Sequence, residues 1–118
     1  MSMRSERFSR MVQEELSLLL DGLADPRVAE AGLFSITAVE VSPDLGSARV
    51  YLTLEGGDEK AAQQLLKGLD SAKPFLRREL SRSLSAKKSP ELHFYMDEAK
   101  ERADRVEALL REISQEKK

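Results

Sequence analysis

Cationic side chains gather in one part of this chain. Lys73, Arg77, Arg78, Arg82, Lys87 and Lys88 face a single acid, Glu79, within one short stretch, a local charge of +5. The 118 residues together carry −2, so the remainder carries −7. For nucleic-acid binding, such polarisation matters more than the total. Arginine forks form bidentate, charge-assisted bonds to phosphate. Arg78 and Arg82 are four apart and share one helical side. Arg77 beside them broadens the patch, and Lys73, Lys87 and Lys88 bracket it. Arg4, Arg7 and Arg10 recur every three residues at the start of the first predicted helix and stay roughly on one side. Cations there oppose the helix dipole at a cost of a few tenths to about 1 kcal/mol. A bound anion offsets that cost; for each arginine alone, a solvated helix face is the plainer explanation. These nine residues are the expected contacts to RNA phosphates.

Catalytic chemistry is poorly served. His93 is the one histidine and sits on a predicted strand between apolar neighbours, a structural position rather than that of a general base. Cysteine is absent, which removes thiolate nucleophiles, thiolate metal sites and disulfides. Neither a GxxxxGK[ST] phosphate loop nor a glycine-rich dinucleotide fingerprint occurs. Glu98, Glu101 and Asp104 have no histidine spaced to join them as metal ligands and read as a solvated helix start. No enzyme activity, cofactor, metal or small-molecule substrate is expected. Tyr51 and Tyr95 are the only outward aromatics on the predicted strands, so base stacking is not the expected main grip.

The cations must be positioned by a bent helix pair. Leu65, Leu69, Ala72, Leu76, Leu80 and Leu84 form one apolar stripe through the segment 65–84. Pro74 interrupts it. Proline lacks an N–H and pushes the residue before it out of helical dihedrals. One helix is therefore expected to end near Ala72 or Lys73, and a second to begin with Pro74 in its first turn.

Around this pair the pattern predicts a first helix from Ser5 to Leu23, carrying Phe8, Val12, Leu16, Leu19 and Leu23. Gly22 and Asp25-Pro26 stop it, and Arg27 to Gly32 reads as a loop. Phe34 to Val41 reads as a strand whose alternation changes phase, through a bulge or through burial on both faces. Ser42 to Gly46 is a turn. Ala48 to Glu55 alternates cleanly and pairs back as a hairpin. Asp58 is the expected cap of the next helix. Ser85 to Pro90 reads as a polar loop and Glu91 to Asp97 as a third strand. Asp97 is the expected cap of a last helix, about 98–113, with a narrow apolar face of Val106, Leu109, Leu110 and Ile113; residues 114–118 are expected to fray.

With 41% hydrophobic and 34% charged residues the chain is globular. It is expected to form a single domain over residues 1–118, with a core of about 4–97. The fold class is α+β: a three-stranded mixed sheet covered on one face by helices. No signal peptide or spanning segment is apparent, so a cytoplasmic monomer without membrane contact is expected.

The element order and bend resemble a type II KH domain, a fold used for single-stranded nucleic acid. More specifically, LLLDGLADPR, ITAVEVSPDLGSARVYLTL and SPELHFYMDEAKERADRVEALL resemble the ribosome-binding factor A family, over about Arg4 to Leu110. Two departures accompany the resemblance. KH domains clamp the backbone with a GxxG loop, which is missing here. The family bends its helix pair at Ala-x-Gly, whereas this chain has Ala72-Lys73-Pro74. The resemblance implies a non-enzymatic factor that binds the immature small ribosomal subunit and its rRNA and promotes late maturation and rRNA processing. The alternative is a protein–protein adaptor that uses the acidic C-terminal helix.

Overall fold

The computed structural model describes residues 3–84 and 89–116. The elements are α1 (Met3–Asp21), α2 (Pro26–Ala29), β1 (Phe34–Val41), β2 (Ser47–Leu54), α3 (Glu59–Ser71), α4 (Lys73–Ser83), β3 (Glu91–Met96) and α5 (Glu98–Glu116). The sheet runs β1-β2-β3, with β1 antiparallel and β3 parallel to the central strand. A parallel neighbour requires a crossover, which α3 and α4 supply. The predicted α+β class and mixed sheet are those observed.

One sheet face is apolar because the strands alternate in phase. Ala48, Val50, Leu52 and Leu54 of β2 are buried with Leu92 and Phe94 of β3. They join Val12, Leu16 and Leu20 of α1, Leu65 and Leu69 of α3, and Leu76 and Leu80 of α4 in one core. The phase change in β1 is a bulge: Ile36 opposes Leu52, and Ala38 already opposes Tyr51. The extra residue, Thr37, keeps Phe34 and Ile36 on the same inner face as Val39 and Val41.

Among the described residues no helix covers the other face. It carries Arg49, and Tyr51 stacks on Tyr95 with ring centroids 5.7 Å apart at 30°. His93 lies beside Arg49 in the ladder, half-exposed, its Nε2 3.7 Å from Glu91 Oε1.

α3 and α4 form as separate helices divided at Ala72, as expected, but Lys73, expected outside helical dihedrals, is the first residue of α4. Ala72 closes α3 by donating its N–H to the Gly68 and Leu69 carbonyls. α4 begins at Lys73 with Pro74 in its first turn, where a missing amide costs nothing. Asp58 caps α3 through the Ala61 amide at 2.8 Å, and Asp97 caps α5 through the Lys100 amide at 3.0 Å.

Four expectations need correction. The segment from Arg27, read as loop, begins with the helical turn α2: Pro26 opens it and Asp25 accepts from the Arg27 amide at 2.9 Å. A single turn has no hydrophobic period, so the sequence hides it. α1 spans Met3–Asp21 rather than 5–23, and α5 continues to Glu116 rather than ending at 113. Ser89 and Pro90, assigned to a polar loop, are buried at the entrance to β3.

Candidate nucleic-acid interface

Two buried serines fix the start of α1 to the sheet. Ser9 Oγ donates to the Ser5 carbonyl at 2.7 Å and accepts from the Val41 amide at 3.0 Å. Val41 ends β1 and pairs with Ala48, which pairs with Leu92 near the start of β3. Arg77 Nη2 donates to the Ser89 carbonyl at 3.3 Å just before that start. The first turns of α1 and the middle of α4 therefore lie at the same end of the sheet, and the two helices pack on each other. Arg4, Arg7 and Arg10 are all exposed there.

The cations of α4 divide into two groups. Leu76 and Leu80 face the core, so Arg78 and Arg82 point to solvent, where both are exposed. Arg82 reaches Glu79 only at 3.7 Å, an exposed pair worth about 0–1 kcal/mol. Arg78 has no ion pair among the described residues. Arg77 turns instead toward β3 into an open cleft of about 500 Å³, lined also by Lys73, Pro74, Arg78, Ser81, Ser89, Glu91 and Leu92. Its Nε is buried without an acceptor among the described residues. Three cations, Lys73, Arg77 and Arg78, outweigh the one carboxylate of Glu91 in the cleft, a balance that fits an anion. Lys73 stands at the rim, 3.2 Å from Asp70. Arg77 and Arg78 both line this cleft, and Arg82 is not among its lining residues. Lys87 and Lys88 lie outside the described residues.

A larger cavity, about 1220 Å³, opens at the opposite end of the sheet beside the start of α5. Five carboxylates and three cations line it, a balance that repels phosphate. Among the described residues no cluster of His, Asp and Glu could hold a metal ion, and no helix is long and apolar enough to cross a membrane.

One residue escaped the sequence reading. Phe75 stands beside Pro74 on α4 and is 41% exposed. The signal was its place one residue off the buried stripe, which turns it about 100° away from Leu76.

The profile of ribosome-binding factor A matches residues 4–110. The chain belongs to the ribosome-binding factor A family. A ribosome-binding factor A of Pelobacter propionicus is 44% identical over 117 residues, covering 98% of this chain and 93% of that one. The crystal structure of the Thermus thermophilus factor superposes with a TM-score of 0.66 at 24% identity, over 78% of this chain and 93% of that one. A Thermus thermophilus homology model fitted into a cryo-EM map of a 30S complex gives a TM-score of 0.57 at 26% identity, over 81% and 93%.

Proposed function

We propose that this chain is a non-enzymatic assembly factor of the cytoplasm that binds the immature small ribosomal subunit through its rRNA. Its relative was fitted into a map of a 30S complex, and family membership extends that partner to this chain. The observation that carries the surface is the packing of α1 on α4: Arg4, Arg7 and Arg10 on the first and Arg78 and Arg82 on the second are all exposed, and Lys73, Arg77 and Arg78 line the cleft between α4 and β3. Phosphate oxygens are the acceptors this cleft suits, with Lys73 at its rim. Binding one rRNA conformation better than another shifts the population toward the mature form and so favours late maturation and processing. No bond needs to be made or broken by the protein.

Co-sedimentation with purified small subunits at two salt concentrations tests the reading. Binding that weakens as salt rises is the expected result, because phosphate contacts release counterions. Failure of folded protein to bind at low salt overturns it. A second reading, a protein contact through α5, is favoured by the exposure of Val106, Leu109, Leu110 and Ile113. It predicts binding that is insensitive to salt.

A further inference from the structure

α4 exposes an aromatic ring that its own packing does not explain. Leu76 and Leu80 are fully buried and Leu84 packs against the core, whereas Phe75 is 41% exposed. Phenylalanine has no polar tip to reward contact with water, unlike tyrosine. Arg78 follows one turn later and Arg82 two turns later, so the three share one side of the helix. Both arginines are exposed, and Arg78 has no ion pair among the described residues.

This row has the chemistry of a nucleotide: a flat apolar face beside an anion. Phe75 and Arg78 are separated by about 4.5 Å along the helix axis, and the arginine side chain extends that reach. A continuous A-form duplex keeps its bases stacked inside and offers a ring base edges and backbone but no base face. An unpaired, splayed nucleotide offers a base face together with its phosphate. A protein segment on Phe75 would have to cover two flanking guanidinium groups, whereas RNA neutralises them.

The geometry points to Phe75 as the stacking platform for one unpaired rRNA base, with Arg78 holding an adjoining phosphate. The inference rests on the α1–α4 junction being the RNA surface. It adds that the contacted RNA is unstacked at this point. Stacking alone reads no base identity, because every base has a π-face.

The test compares Phe75→Leu, Phe75→Tyr and Phe75→Ala with the double variant Arg78→Glu/Arg82→Glu. Affinity for purified small subunits is measured across a salt series, and thermal melts confirm folding. Phe75→Leu and Phe75→Ala are expected to lose about 5- to 100-fold in affinity with an unchanged salt slope. Phe75→Tyr, which keeps the ring, is expected to bind like the parent chain. The arginine variant is expected to lose affinity and flatten the slope. Full binding by Phe75→Ala overturns the inference. So does full binding by Phe75→Leu with loss in Phe75→Ala, the pattern of an ordinary apolar protein contact. If Phe75→Leu and the arginine variant both bind normally, the RNA surface itself is wrong; if only the arginine variant weakens, the stacking role alone fails.

Discussion

The Val41 amide on the sheet donates to Ser9 Oγ on α1 at 3.0 Å, in the interior of the protein. This bond sets where the first turns of α1 stand, and with them Arg4, Arg7 and Arg10. Replacing Ser9 with Ala would leave a buried amide without its acceptor, which costs about 1–3 kcal/mol. Ser9→Ala should therefore melt at a clearly lower temperature while its helix content stays the same. An unchanged melting temperature would mean that another acceptor satisfies Val41.

Asp97 makes part of the stability dependent on acid. The Thr37 hydroxyl donates to it at 2.6 Å and the Lys100 amide caps against it, and both hold its carboxyl below the ordinary value of 3.8. A carboxyl depressed by folding contributes stability that is present above its unfolded pKa and lost as pH falls through the folded one. Asp25, held down by the Arg27 side chain, and Asp44, held down by the Ser42 hydroxyl, act in the same direction. Thr37→Val should flatten the acid limb of the stability profile below about pH 4 and leave Asp25 and Asp44 to shape the rest. An acid limb as steep as that of the parent chain would remove Thr37 from this role.

Gly68 marks the close approach of α2 to α3. A Cβ there would stand 2.7 Å from Val28 Cγ2, 3.1 Å from Arg27 Cβ and 3.5 Å from the Val28 amide nitrogen. Alanine in a helix interior gains about 0.5–1 kcal/mol over glycine. Overpacking a tight contact costs about 1–3 kcal/mol, so the clash wins. Gly68→Ala should destabilise the protein in urea titration. A higher midpoint would show that α2 moves aside freely.

Periodic elements were legible in the sequence and single contacts were not. The slip in phase along β1 left a bulge or burial on both faces open, and the register places a bulge between Ile36 and Ala38. Pro74 announced the bend by removing one donor. α2 left no trace, since its four residues complete barely one turn. Arg77 and Arg78 look equivalent as neighbours in sequence. A 100° step half-buries Arg77 against the Ser89 carbonyl and leaves Arg78 exposed at the same cleft, which only the position of β3 decides. α5 displays its pattern of Val106, Leu110 and Ile113 openly, yet the apolar face of the sheet is already covered by α1, α3 and α4, and that stripe stays exposed.

Pro74 stands where the family resemblance places glycine, and the two residues break a helix for opposite reasons. Glycine does so by freedom and proline by its fixed φ and missing N–H. Here the turn is also held from both sides: Ala72 N–H reaches the Gly68 carbonyl at 3.2 Å, and Leu76 N–H reaches the Ala72 carbonyl at 2.9 Å. Those bonds do not involve Pro74. Pro74→Gly should therefore keep the bend and lose about 0.4–1 kcal/mol of stability, mainly because the unfolded chain gains freedom. Small-subunit affinity and its salt slope should stay as they are, measured beside the thermal melt on the same preparation. If affinity changed by about tenfold or more, a difference of roughly 1.4 kcal/mol, the rigid angle set by Pro74 would itself be part of the RNA contact.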